Sequence, residues 1–171
     1  HLVTCREFCE KRDKIQHDLL ELSQYKTFLA TVSTLLEKIQ LTPDLDYIGI
    51  TLKNEKAVDV LKDSLNCLAD ASCELLTVPT KDGTLVGLIA ATKDISEDIR
   101  LLLDQKQMPE FTFPESIQNL PFVRKVEYLQ NQIQENEATL QAVDAKLTEF
   151  THRWGPMYKA ALDWVREQLS I

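Results

Sequence analysis

Residues 126–157, VEYLQNQIQENEATLQAVDAKLTEFTHRWGPM, carry the pattern that decides the fold. With Val126 at heptad position a, Val126, Ile133, Leu140, Leu147 and Trp154 occupy a, while Leu129, Asn136, Val143, Phe150 and Met157 occupy d. Only Asn136 among these is polar. An apolar repeat of 3.5 residues forms a narrow stripe that a second helix can cover. The buried amide of Asn136 costs stability and helps fix register. The flanks are dense in Gln, Asn and Glu, as a solvated helix face should be. The pattern predicts a helix from about Phe122, broken near 154–156 by Gly155-Pro156, because proline lacks the N–H and crowds the preceding turn. A second helical stretch, 157–170, then carries Tyr158, Leu162, Val165 and Leu169 on one stripe.

The N-terminal segment offers the partner for that stripe. Thr4 is placed to cap a helix starting at Cys5, with Glu7 completing a capping box. No Gly or Pro follows until Pro43. Phe8, Ile15, Leu22, Leu29 and Leu36 fall at a, and Tyr25, Val32 and Ile39 at the later d positions, whereas Lys11 and Asp18 weaken the start of the seam. Such a helix over 5–40 measures roughly 54 Å. The expected seam residues are Leu22, Leu29, Val32 and Leu36 on the first helix. On the second they are Val126, Leu129, Ile133, Asn136, Leu140, Val143, Leu147 and Phe150.

Between the two helices lie short elements of a different period. Tyr47–Leu52 and Cys73–Val78 read as strands, and Leu85–Ala91 as a central strand after the Asp82-Gly83 turn signal. Asn54 is placed to cap a helix through about Ala69, and Asp94 with Glu97 to box a second helix carrying Ile99, Leu102 and Leu103. Glu110–Phe113 reads as a closing strand. The order βαββαβ is that of a ferredoxin-like lobe with strand order 4-1-3-2 and both helices on one face. The expected fold is therefore α+β. A long antiparallel two-helix coiled-coil hairpin spans 1–42 and 117–171, with the lobe inserted over 43–116. Leu85, Gly87 and Ile89 are read as a possible partner face of the lobe, on the expectation that helices cover only one side of the sheet.

Composition narrows the function classes. The 171 residues carry 19 Lys+Arg and 27 Asp+Glu, a net charge of −8, with only 4 Gly and 6 Pro. An acidic chain lacks the clustered positive face that nucleic acid requires. Residues 41–114 hold seven basic and thirteen acidic groups, so −6 of the −8 falls in the middle of the chain. No run approaches the ~20 apolar residues of a membrane span. Four cysteines without a C-x-x-C pair read as reduced thiols. No phosphate-cradling glycine loop, G-x-S-x-G or H-E-x-x-H occurs. Acidic pairs such as Asp44/Asp46 and Glu97/Asp98 read as capping carboxylates. The residues point to no catalytic, cofactor or metal site and no small-molecule substrate. The start at His1, without Met or a signal-like segment, reads as an internal fragment.

A family resemblance joins these features. Asp82-Gly83-Thr84-Leu85-Val86-Gly87-Leu88-Ile89-Ala90, the short helix, Phe113-Pro114-Glu115 and the heptad helix that follows resemble the cytoplasmic half of subunit I of A/V-type ATP synthases, the counterpart of the vacuolar a subunit. Trp154 through Trp164 and Leu169 resemble the continuation of that helix. The resemblance implies a non-catalytic stator part of a proton-translocating ATPase at the cytoplasmic face of a membrane. It implies docking to peripheral-stalk subunits E and G, contact with other ATPase subunits, and a link to the membrane only through a missing C-terminal half. The alternatives are a free-standing coiled-coil adaptor or chaperone-like module, a small-molecule-sensing lobe, and an enzyme.

Overall fold

The computed structural model describes residues 2–39, 41–69 and 72–169. The outermost ends of the expected helical segments, at residues 1, 170 and 171, lie outside that range, as does position 40. The fold is α+β, with four α-helices and one three-stranded antiparallel sheet among the described residues. The elements are α1 (Leu2–Lys38), β1 (Leu45–Leu52), α2 (Glu55–Ala69), β2 (Cys73–Pro79), β3 (Leu85–Thr92), α3 (Ser96–Gln105), a 3-10 turn (Glu115–Ile117) and α4 (Phe122–Leu169). They form two compact units. One is Tyr25–Gln130; the other comprises the remaining parts of the two long helices. Tyr25–Gln130 thus holds the lobe together with the last turns of α1 and the first turns of α4.

In Tyr25–Gln130 the sheet order is β1-β3-β2, with Ile48 opposite Ile89 and Leu76 opposite Leu88. One face buries Ile48, Ile50, Leu52, Ile89 and Ala91 against Val58, Leu61 and Leu65 of α2 and Ile99 and Leu103 of α3. Asn54 caps α2 as expected, its Oδ1 accepting from the Ala57 amide at 2.9 Å. The Asp94–Glu97 capping box does not form. The N-cap is Ile95, without a side-chain bond, and Asp94 instead accepts from Thr92, which holds its carboxyl below the usual range.

The expected fourth strand is also absent. Residues 110–113 retain a single bridge, Ile50 to Glu110, with the Phe111 amide donating to the Gly49 carbonyl at 2.7 Å. Pro109 and Pro114, which donate no amide, bound the segment so that pairing cannot extend through either end. What remains of the segment delivers Phe111 and Phe113 to the helices.

In the other unit the two helices lie antiparallel. Lys146 Nζ stands 5.4 Å from the Phe8 ring centroid, and one turn further along α1 the Arg12 guanidinium feels the Asp144 carboxylate. Ile15, Ile133 and Val143 are buried here. Thr4 lies within α1, which is already helical at Leu2, so it does not cap. Nor does α4 break at 154–156: it continues through Pro156. Proline leaves the His152 carbonyl without its amide donor, and both residues are exposed.

At the end of α3, Gln107 adopts φ 56° while the Met108 amide closes back on the Leu103 carbonyl at 2.9 Å. A left-handed residue at this cap costs a side chain about 1 kcal/mol that glycine avoids. Gln107→Gly should therefore raise stability by about 0.5–1 kcal/mol in urea unfolding; a loss would show that Gln107 makes compensating contacts.

Candidate interaction surfaces

The second face of the sheet is covered by the chain itself. Gly49 sits on that face. A Cβ there would lie 2.5 Å from Phe28 Cζ and 2.8 Å from Phe122 Cε2. Phe28 comes from α1 and Phe122 from α4, so both long helices meet the sheet through one glycine. Phe111 stacks on Phe28 with centroids 3.5 Å apart and planes 3° apart. Phe113 meets Phe28, Phe111 and Phe122 edge-on, and Tyr25 meets Phe111 edge-on. Gln130 Nε2 donates to Ser33 Oγ, joining α4 to α1 beside this cluster. The Gly49→Ala variant should lose about 1–3 kcal/mol, since buried rings have nowhere to move. Thermal unfolding checks this, and an unchanged midpoint would contradict the contact.

The partner face expected at Leu85, Gly87 and Ile89 is therefore corrected. Ile89 is fully buried, Leu85 packs against the same α2–α3 core, and a Cβ on Gly87 would strike Ile50 at 2.8 Å. These residues face α2 and α3, while the opposite face lies under Phe28 and Phe122. Val86 and Leu88, which alternate with them along β3, are buried on that opposite face.

Of the seam residues, Leu29, Val32, Val126 and Leu129 are buried in Tyr25–Gln130, where Leu36 is half-buried; in the other unit Ile133 and Val143 are buried, and Leu22, Asn136, Leu140, Leu147 and Phe150 are half-buried. The heptads missed Phe28 and Leu35, which are buried on the adjacent flank of α1. Past Pro156, Leu162, Val165 and Leu169 of the expected stripe are exposed and Tyr158 is half-buried; Met157 and Trp164 are exposed beside them.

Three carboxylates converge on Arg100. Its Nε bonds Glu110 at 3.0 Å, one terminal nitrogen bonds Asp46 at 2.8 Å, and the other bonds Glu97 at 2.9 Å. Burial disfavours its charge, but the bonds to Asp46 and Glu110 outweigh that and raise its pKa. The guanidinium thus ties α3 to β1 and to the residue that replaces the fourth strand. No sequence spacing marked this set, since Asp46 and Arg100 are 54 positions apart.

The β2–β3 turn is a three-residue loop with Gly83 at φ 85°. The Thr80 amide donates to the Thr84 carbonyl at 2.8 Å, and Asp82 Oδ1 accepts from the Thr80 and Thr84 hydroxyls. Those bonds favour the ionised form and lower the Asp82 pKa. Asp82 should titrate below the ordinary 3.8. Its support of the turn is present above that value and fades as pH falls through its own lower midpoint. NMR titration of Asp82 checks this; in Thr84→Val the midpoint should rise, and a parent midpoint at or above 3.8 would contradict the geometry.

Among the described residues no group of three or more His, Cys, Asp or Glu side chains could hold a metal ion. Cys5, Cys9, Cys67 and Cys73 are free thiols; burial, and for Cys5 also the neighbouring Cys9, pushes Cys5 and Cys73 up, away from the reactive thiolate. An open groove of about 620 Å³ lies between Leu41, Leu45, Tyr47, Lys93, Phe122 and Arg124. Its lining also includes Thr42 and Asp46, and the Asp46 carboxylate is held by Arg100. No described helix is long and apolar enough to cross a membrane.

Neither the protein-family profiles nor the curated proteins contain a sequence match to this chain. A solved structure does match in shape: the crystal structure of the cytoplasmic N-terminal domain of subunit I, homolog of subunit a, of V-ATPase, with TM-score 0.67 over 96% of this chain at 12% identity. The two share a fold. The present chain spans 55% of the length of that domain.

Proposed function

We propose that the chain is a stator element of a rotary V/A-type ATPase, on the cytoplasmic side of the membrane, joining an ion-translocating half of subunit I to the peripheral stalk. The observation that carries the reading is the fold shared with the subunit I domain along nearly the whole chain. The lobe reads as a ferredoxin-like unit whose outer strand has shrunk to the bridge at Glu110.

The packing suits a part that transmits force. Phe28 and Phe122 fix the ends of two helices to the same sheet position, and Arg100 fixes α3 to β1. Interiors packed this closely have low compressibility, so a load on the lobe passes to the helices with little give. The role requires no catalytic group of this chain; it requires a stiff joint and surfaces for other ATPase subunits, among them stalk subunits E and G. The exposed stripe from Met157 to Leu169 offers apolar surface for such protein.

The test is direct binding of the purified chain to a purified E–G heterodimer by calorimetry and size exclusion. The expected result is a one-to-one complex with Kd on the order of micromolar, about −8 kcal/mol. Absence of a complex at concentrations of roughly 100 μM would remove the stalk-linking role.

A further inference from the structure

The two edges of the sheet are treated differently by the chain. In an antiparallel ladder each residue directs both its N–H and its C=O to the same side, alternating along the strand. The Phe111 amide reaches the Gly49 carbonyl from outside, so Leu45, Tyr47, Gly49 and Thr51 of β1 face away from β3. Three of these positions are occupied by local chain. The Leu45 amide donates to the Thr42 carbonyl at 3.3 Å, the Tyr47 amide donates to Asp46 Oδ1 at 3.0 Å, and Gly49 holds Phe111. The β1 edge is closed to another strand.

The same parity carried across β3 defines the other edge. Glu74, Leu76 and Val78 face Ala90, Leu88 and Val86 and bond to them, which places Cys73, Leu75, Thr77 and Pro79 outward. Two flanking bonds fix this parity independently: the Thr92 amide to the Ser72 carbonyl at 3.4 Å, and the Thr80 amide to the Thr84 carbonyl at 2.8 Å. Pro79 therefore stands where no amide is required, which explains a proline within the strand. Among the described residues no backbone group bonds the outward amides of Cys73, Leu75 and Thr77. Leu75, Leu76 and Val78 are only half-buried, whereas Ile48, Ile50, Leu88 and Ile89 in the neighbouring strands are fully buried. β2 carries no lysine or arginine to repel a strand, and its one charge is the exposed Glu74.

We propose that the β2 edge is a docking site for an extended, basic segment of a partner protein, which adds as a fourth strand beside β2. The backbone identifies the occupant as a strand, because only another backbone supplies alternating donors and acceptors at this spacing. The charge identifies it as basic: residues 41–114 hold thirteen acidic against seven basic groups, and Glu74 projects from the strand itself. This inference stands on backbone pairing and charge and does not depend on the ATPase reading.

Residue-resolved amide exchange on the 171-residue chain tests it, with a blocked heptapeptide alternating lysine and valine as probe and its glutamate–valine counterpart as control. In the free chain the amides of Cys73, Leu75 and Thr77 should exchange at least ~10-fold faster than those of Glu74, Leu76 and Val78. The lysine peptide should slow the three outward amides, and the glutamate peptide should not. Thr77→Pro removes an outward donor that the internal ladder does not use, so it should abolish the protection at Cys73 and Leu75. Glu74→Lys, which leaves the backbone intact should that variant fail to fold, should weaken the peptide by about 2–5-fold. The proposal is overturned if the outward amides are already slow in the dilute free chain. It is equally overturned if their protection grows with protein concentration alone, which would make the occupant a second copy, or if the lysine peptide leaves them unchanged.

Discussion

Phe28→Ala should lower the stability of the protein by about 3–5 kcal/mol, the cost of removing a buried aromatic side chain from a packed core. Phe28 is stacked on Phe111, meets Phe113 edge-on and lies over Gly49. The loss therefore combines transfer of the ring, an unfilled cavity and about 0.5–1.5 kcal/mol for each aromatic pairing. Since 1 kcal/mol corresponds to roughly 2–4 °C for a chain of this size, the melting midpoint should fall by about 6–20 °C. Phe28→Leu, which refills most of the volume, should recover much of that. Calorimetry decides it. A midpoint within about 2 °C of the parent would mean that α1 is not anchored to the sheet through this ring.

The second large effect is expected from Leu129→Asp. Leu129 is 1% exposed on the first turns of α4. Losing the leucine costs about 1.5–3 kcal/mol in transfer, and a buried carboxyl without a built partner adds about 1–3 kcal/mol more. The sum, together with the poorer fit, approaches the whole 5–15 kcal/mol of a typical domain, so this variant should be at the edge of folding. Its pH dependence has a definite sign. Burial favours the protonated acid and raises its folded pKa above the unfolded one, so the variant loses stability as pH rises through that interval. Chemical unfolding at two pH values should show a smaller deficit at acidic pH; an equal deficit at both would mean that the carboxylate reaches water. In the other unit the half-buried Leu140 gives a charge more access to solvent, so Leu140→Asp should cost less than Leu129→Asp.

The contrast between these leucines shows what the sequence can convey. The heptads picked out Val126, Leu129, Ile133 and Val143 because one helix facing one partner writes a single stripe. Phe28 and Leu35 were invisible to that reading, because the last turns of α1 have two partners, α4 and the sheet, and bury a second flank. The lobe's strands and helices were legible from Asn54, Asp82-Gly83 and the alternating apolar runs. The fourth strand was misread because Glu110–Phe113 has a strand's composition, and its flanking prolines decided against a ladder.

Which sheet face was free could not be read from Leu85, Gly87 and Ile89. An alternating strand with both faces apolar states that both are covered, not by what. Gly49 held the answer, but a strand glycine carries no label for the two rings that need its missing Cβ. The Arg100 cluster was equally silent, since tertiary geometry alone brings Asp46, Glu97 and Glu110 to one guanidinium.

The proposed stator role is tested most directly by isolating the tagged protein from detergent-solubilised membranes of the cells that make it and identifying its companions by mass spectrometry. The account predicts stoichiometric recovery of rotary ATPase subunits, the peripheral-stalk pair and the ion-translocating ring among them, surviving a stringent wash. Recovery of the protein alone, or with companions that include no ATPase subunit, would contradict it.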